Sequence, residues 1–325
     1  MRVIISLIIS KCPLRISIAG GSTDLAAFIN THGRGAVVSF SINLYTYITL
    51  FRDRFGQNSI DKKYNIVWSQ KESVVDPKGI KNDIARIAIN SMTKDPLQCW
   101  FTADVSSSGS GLASSSSYMV ALVSAINQLD NIGLSKNEII EKSWNLEKEM
   151  NPLTGFQDPW GVASGGLNVH ELKKGKKVKT TSLDSAVFNN FKMYLLPTTF
   201  SRSSTLVLNK VKDAVDKRLL DHVDLMKDAL ANHDGDMFID VIKEGWGIKR
   251  KSSSIILGNS ELIALDTKIE KTDYILAHRL VGAGNGGYFL LFTDNHIKES
   301  DIGLDFSRTV IPIDIDYNGI RSLPY

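Results

Sequence analysis

The chain has 325 residues, 43% of them hydrophobic and 22% charged, which is enough apolar material for two domains of ordinary size. Its 38 basic and 35 acidic residues leave a net charge of +3, which gives no electrostatic footprint for nucleic acid or an acidic membrane. Two cysteines, Cys12 and Cys99, are too few for a disulfide framework or a cysteine zinc site and fit a reducing, cytoplasmic setting.

The opening MRVIISLIIS lacks a small-residue cleavage site and is far shorter than the ~20 residues of a membrane span, so it reads as a buried first strand. No later segment reaches spanning length, and a soluble protein is expected. Strand signals continue through GAVVSFSINLYTYITLF and YNIVW, with alternating apolar, aromatic and β-branched residues. NDIARIAINSM then reads as a helix, QCWFTADV as a strand, and SYMVALVSAINQL and SKNEIIEKSWNLEKEM as helices. The last opens with a capping box, Ser135 followed by Glu138.

GGLNVHELKKGKKVKTTSL has the pattern of a hairpin, and its five lysines from 173 to 179 suit either a solvated turn or a phosphate contact. FKMYLLPT begins a new block, so a boundary is placed near 187, with one unit over 1–187 and a second over 188–325. The second holds two long helical stretches, NKVKDAVDKRLLDHVDLMKDALAN and ELIALDTKIEKTDYILAHR, then VGAGNGG and the strand YFLLFT. Strands and helices without regular βαβ alternation predict an α+β fold rather than one doubly wound sheet.

SSSGSGLASSSSY at 106–118 has the composition of a flexible linker. Yet it stands between a strand and a stretch, Met119 to Leu129, that is apolar on nearly every side and so belongs in a core. A tight loop held there aims backbone N–H groups, hydroxyls and the positive end of a helix dipole at one point, the conditions for binding phosphate. It is not a Walker A loop, since no lysine occurs between 104 and 130, and Ser114 stands where a dinucleotide fingerprint needs its third glycine. GAGNGG at 282–287 satisfies G-x-G-x-x-G, but a strand follows it where a Rossmann unit requires a helix. Both points speak against a nicotinamide-dependent oxidoreductase.

Glu147 shares a helical stripe with Ile140 and Trp144 and is expected to point inward. Beside a phosphate loop its natural partner is Mg²⁺; an ion pair with an arginine is the alternative. Asp158, in GFQDPWG, is either a helix cap before proline or a carboxylate that orients or deprotonates an attacking hydroxyl. Arg15 and Asp24, in PLRISIAGGSTD, suit stabilisation of a transferring phosphoryl and hydrogen bonding to a polyol, or equally an ion pair and a cap. Gly20 and Gly21 there allow a ligand to approach closely.

In this order the segments resemble the GHMP kinase superfamily: PLRISIAGGSTD its first motif, GSGLASSS its phosphate loop and GAGNGG its third. The resemblance implies a two-domain GHMP kinase fold, with an N-terminal domain like domain 2 of ribosomal protein S5, a ferredoxin-like C-terminal domain, and ATP between them. PLRISIAGGSTDL with GFQDPWGVASGGLN is similar to the heptose kinase branch. That branch phosphorylates the anomeric oxygen of a heptose phosphate on the way to GDP-heptose for surface polysaccharide; other sugar-1-kinases, or a silent sensor on the same fold, are the alternatives.

By the same resemblance Ser108, Gly109, Ser110, Gly111, Leu112, Ala113, Ser114 and Ser115 would wrap the triphosphate, and Ser115 with Glu147 would hold Mg²⁺. Asp158 and Arg15 would be catalytic. Ser22, Thr23 and Asp24 would grip sugar hydroxyls, while Gly282, Gly284, Gly286 and Gly287 would close over phosphates or substrate. Arg202 is a candidate for the substrate's own phosphate. A sugar phosphate and ATP are the implied partners, without nucleic acid or membrane, and a homodimer is compatible. Ser107 replaces a proline of the second motif and Asn285 a glycine of the third, where asparagine tolerates left-handed backbone.

Overall fold

The structure is a computed structural model that describes residues 7–52, 62–106, 109–198 and 215–324. Its strands are β1 (Leu7–Ala19), β2 (Arg34–Phe51), β3 (Tyr64–Val67), β4 (Lys71–Val74), β5 (Gln98–Ala103), β6 (Leu167–Lys173), β7 (Lys179–Ser182), β8 (Lys192–Pro197), β9 (Ile275–Leu280), β10 (Tyr288–Thr293), β11 (Ile311–Ile313) and β12 (Arg321–Pro324). The α-helices are α1 (Ala26–His32), α2 (Asp83–Met92), α3 (Ser114–Leu129), α4 (Lys136–Met150), α5 (Gln157–Ser164), α6 (Arg218–Ala231), α7 (Gly235–Ser252), α8 (Ser260–Glu270) and α9 (Glu299–Phe306). The architecture is α+β, as the lack of regular βαβ alternation predicts.

The first sheet runs β12-β1-β2-β5-β3-β4, with β6 and β7 added along the other half of β2. Its backbone is the long antiparallel ladder of β1 on β2, from Leu7 opposite Phe51 to Ala19 opposite Val38, with an irregularity between Pro13 and Leu14. On one side of that irregularity, Ile8, Cys12, Ile48 and Leu50 pack with the buried α3 residues Met119 to Ile126. On the other, Leu14, Ile16 and Ile18 join Val223 and Met226 of α6 and Leu195 and Leu290 of the second sheet. Side chains alternate along a strand, so Arg15 and Ser17 face away from that second core, toward the start of α3.

The second sheet has the order β11-β8-β10-β9, antiparallel throughout. One face gives Leu195, Leu290 and Phe292 to the core shared with β1, where Phe238 of α7 meets Phe188 and Phe292 at ring distances of 5.1 and 5.4 Å. The other face packs Leu196, Phe289 and Leu291 against Trp246, Leu262 and Ile269. The chain then returns to the first sheet, where β12 pairs with β1. No helix among the described residues is long and apolar enough to cross a membrane.

Two expectations for the second block change. The stretch read as one helix over 261–279 is helical only to Glu270. Lys271, Thr272 and Ile275 then turn the backbone, and the segment from Ile275 pairs with β10, a tertiary partner that outweighs local helical pattern. The stretch beginning at Asn209 falls partly outside the described residues; its described part becomes helical at Arg218. Helix α7 has no counterpart among the expected elements. Its glycines at 235, 245 and 247 weaken helical propensity, while the Asp234 cap on Met237 N and the buried stripe of Phe238, Val241, Ile242 and Trp246 sustain it.

Candidate active site

From Gly109 onward the serine and glycine run is an ordered turn leading into α3. Gly109, Gly111 and Ala113 take φ values of 68°, 80° and 62°, so left-handed residues alternate along the loop. Such alternation turns successive N–H groups toward one concavity, and the α3 N-terminus adds its dipole. Ala113 is the N-cap and holds this left-handed conformation without a side-chain cap bond, a strain of about 1 kcal/mol that the buried helix behind it sustains. Ser110 Oγ lies 3.0 Å from Ser114 Oγ, which fixes the turn.

The third glycine cluster rests directly on this loop. A Cβ on Gly287 would stand 2.4 Å from Ser110 O, so only glycine permits the approach. Asn285 has φ 62°, the left-handed backbone expected of it. Lys249 of α7 donates to Gly282 O, and both residues line the cleft above the loop.

Arg15, 3% exposed on β1, organises the cleft floor. Its Nη1 donates to Gly111 O at 2.9 Å, and its Nε and Nη2 donate to Asp158 Oδ1 at 3.0 and 2.5 Å. Both bonds to the carboxylate land on one oxygen; Oδ2 takes no hydrogen bond from a described residue. Asp158 lies inside α5, whose N-cap is Phe156, so the cap alternative for Asp158 does not hold. Gly161, one turn on, leaves room for Arg15: a Cβ there would be 3.1 Å from Arg15 Cγ.

Glu147 is 3% exposed on the inner face of α4, as the stripe predicts, with the Ser135–Glu138 capping box in place at the start of that helix. The arginine ion pair considered for it is absent among the described residues. Ser116 bonds to its carboxyl, while Oε1 is buried with no hydrogen-bond partner. Burial, and then the charge of Asp158, push its pKa up to about 8. Asp24, 2% exposed, accepts from Gln157 N and Nε2 at 3.3 and 3.1 Å. Burial and Asp158 raise its pKa to about 7.

One cleft of about 350 Å³ thus brings together Arg15, Ser22, Asp24, Gly109 to Gly111, Ala113 to Ser115, Glu147, Asp158 and Gly282. Leu112 is fully buried and serves through its carbonyl, which accepts from Arg15 N. Thr23 is also buried; its hydroxyl reaches Gly20 O and Ala36 O and accepts from Ala36 N. Gly20 answers to packing rather than to a ligand, since a Cβ would come within 2.0 Å of Ala36 O, whereas Gly21 does line the cleft. Gly284, Gly286 and Gly287 shape the covering loop without lining the cleft. Ser107, Ser108 and Arg202 lie outside the described residues.

Sequence reasoning did not single out Ser116, Gln157, Lys249 or Arg279. Gln157 stands next to Asp158 and was accessible to motif reading. Lys249 and Arg279 come from the second sheet and its helices, and only the tertiary fold brings them here. Arg279 is 4% exposed and donates to Ile18 O, tying β9 to β1. Burial, and then Arg15, lower its pKa to about 10.

Residues 82–166 match the GHMP kinases N terminal domain, and this segment carries the serine and glycine loop, Glu147 and Asp158. The chain has the GHMP kinase fold, with a mevalonate kinase superposing at TM-score 0.72, 15% identity and coverage of 95% of this chain and 99% of that one. The family match and the curated relative together support a phosphotransferase. Among curated proteins it resembles the D-glycero-alpha-D-manno-heptose 7-phosphate kinase of Campylobacter jejuni, 26% identical over 310 residues that cover 88% of this chain and 89% of the relative. A D-glycero-D-manno-heptose 1-phosphate kinase from Bacteriodes thetaiotaomicron shares the fold at TM-score 0.76 and 20% identity, covering 98% of this chain and 99% of the other.

Proposed function

We propose that this protein transfers the γ-phosphoryl group of ATP to the anomeric oxygen O1 of D-glycero-D-manno-heptose 7-phosphate. The 1,7-bisphosphate formed would serve the route to GDP-heptose for surface polysaccharide. The observation that carries the reading is the Arg15–Asp158 pair, set between the phosphate-type loop and Asp24 with one carboxylate oxygen left open. The near full-length similarity to a heptose 7-phosphate kinase supports the choice of sugar.

The loop suits a triphosphate, because three left-handed residues and a helix N-terminus converge on it and the Gly287 contact closes it from above. The donors also suit Mg²⁺, which takes one or two carboxylates and keeps phosphate oxygens and water as its other ligands. Glu147 offers a buried, unpartnered oxygen, Ser115 stands beside it on the cleft, and no cage of three or more acidic, histidine or cysteine ligands occurs among the described residues. When bound, Mg²⁺ neutralises charge on the phosphates and aligns them.

Asp158 accepts the O1 proton on its open Oδ2 as the O1–Pγ bond forms and the bond from Pγ to the ADP oxygen breaks. Arg15 holds Asp158 by the other oxygen and places its charge beside the transferring group. Asp24, oriented by Gln157, receives sugar hydroxyls with Ser22. Positioning and electrostatics supply most of the catalysis in such a transfer. In this reading residues 1–187 form the nucleotide-binding unit and 188–325 the unit that covers it, with β12 returning to the first.

ADP formation with Mg²⁺ and ATP, measured across heptose 7-phosphate, unphosphorylated heptose, mannose 6-phosphate, fucose, galactose and mevalonate, tests the reading. Turnover confined to the heptose 7-phosphate is expected. Turnover with fucose or galactose alone would overturn the choice of sugar.

A further inference from the structure

A second cavity, of about 230 Å³, also has Asp24 in its lining but none of the phosphate-type loop. Asp24 and Thr154 line both cavities, so the two share a wall. The second is lined by Lys148, Lys173, Lys174 and Lys176, with Trp144 beside them and Asp24 as the single carboxylate among its described lining residues. The lysines come from two elements: Lys148 from α4, the others from the end of β6 and the turn into β7. The hairpin pairing of Glu171 with Lys179 fixes that turn, and Lys174 N anchors it to Gly33 O.

The charge in this cavity is mostly unanswered. Lys173 lies 3.7 Å from Glu171, but Lys148, Lys174 and Lys176 form no ion pair among the described residues. Lys148 rests its ammonium 3.2 Å from the Trp144 ring centroid, a cation–π contact that holds it at the cavity wall. A solvated lysine turn would explain Lys177, which pairs with Glu141 on the surface. It does not explain three lysines converging on a concave wall next to the acid expected to hold the sugar.

We propose that this cavity is the subsite for the substrate's own phosphate, and that Lys148, Lys174 and Lys176 bind it. The inference rests on the sugar kinase reading above. A sugar lying across Asp24 would present its reacting end to Asp158 and extend its far end into the lysine cavity. Phosphate geometry suits several point charges around one dianion, each forming a charge-assisted hydrogen bond. The two acids nearest the sugar differ in role: Asp24 meets hydroxyls at the shared wall, while Asp158 meets the reacting oxygen at the other end.

The test compares the intact protein with Lys174→Ala/Lys176→Ala, two exposed positions, and with Lys174→Arg/Lys176→Arg. Calorimetric titration with heptose 7-phosphate and with unphosphorylated heptose, without nucleotide, gives the binding preference independently of turnover. The wild type is expected to prefer the phosphorylated sugar by at least about tenfold. The alanine pair should lose about tenfold in affinity for it with no change toward the unphosphorylated sugar, and the arginine pair should retain most of the preference. In turnover the alanine pair should raise KM for the phosphorylated sugar with kcat nearly unchanged. Equal affinities of wild type and alanine pair for heptose 7-phosphate, or no preference in the wild type, would overturn the subsite. Failure of both sugars as substrates, with the binding preference intact, would count against the kinase reading alone.

Discussion

Glu147 is a buried carboxyl whose desolvation costs stability when it ionises, and Glu147→Gln measures that cost. The folded protein holds the Glu147 proton up to about pH 8, while the unfolded chain releases it near its ordinary value of 4.5. Between those limits the folded state carries one proton more, so each step up in pH favours the unfolded chain by roughly 1.4 kcal/mol per unit from this group. The contribution is fully present below pH 4.5 and is lost as the pH rises through about 8. Glutamine has the same shape, keeps a partner for Ser116 and does not titrate. Denaturant titrations from about pH 5.5 to 7.5 should therefore show the wild type losing stability faster than Glu147→Gln by roughly 1.4 kcal/mol per pH unit. The variant should also lose Mg²⁺-dependent turnover. Parallel stability curves would show that Glu147 is not held protonated, and the argument from its unpartnered oxygen would collapse with them.

Asp158→Asn should lower kcat by roughly 10² or more while nucleotide affinity, measured by equilibrium titration, stays within about threefold, because Asp158 itself makes no hydrogen bond to the phosphate-type loop among the described residues and asparagine keeps an oxygen for Arg15. Gly155→Ala places a Cβ 1.8 Å from Asp24 Oδ2 and 2.5 Å from its Cγ, so Asp24 must move. Steady-state kinetics should show KM for the sugar rising about tenfold or more with KM for ATP little changed. Phe238→Ala removes a fully buried ring that meets Phe188, Phe191 and Phe292, and chemical denaturation should register a loss of about 3–5 kcal/mol.

The site was legible where chemistry and local periodicity coincide. The apolar run after Tyr118 turned a linker composition into a loop with a helix behind it, and the left-handed angles of Gly109, Gly111 and Ala113 follow from that placement. Glu147 was visible as a charge on an apolar stripe, and Ser135 with Glu138 as a box. Asp158 was ambiguous because aspartate before proline suits both a cap and a reactive group, and only the backbone, which caps α5 at Phe156, removes the cap. Thr23 has the residue type of a sugar contact, yet a strand carbonyl and amide opposite it claim its hydroxyl. Lys249 and Arg279 carry no local signature, since what makes them matter is a second sheet folded against β1. The lysine run was readable as charge, but its concave arrangement with Lys148 and Trp144 required α4 and the β6–β7 turn to be placed side by side.

Phosphorus NMR of the product formed from ATP, Mg²⁺ and heptose 7-phosphate tests the central claim most directly. The account predicts a second sugar phosphate resonance coupled to the anomeric proton, with ADP appearing in equal amount. An unchanged heptose 7-phosphate signal, or a new phosphate coupled to a proton other than the anomeric one, would contradict it.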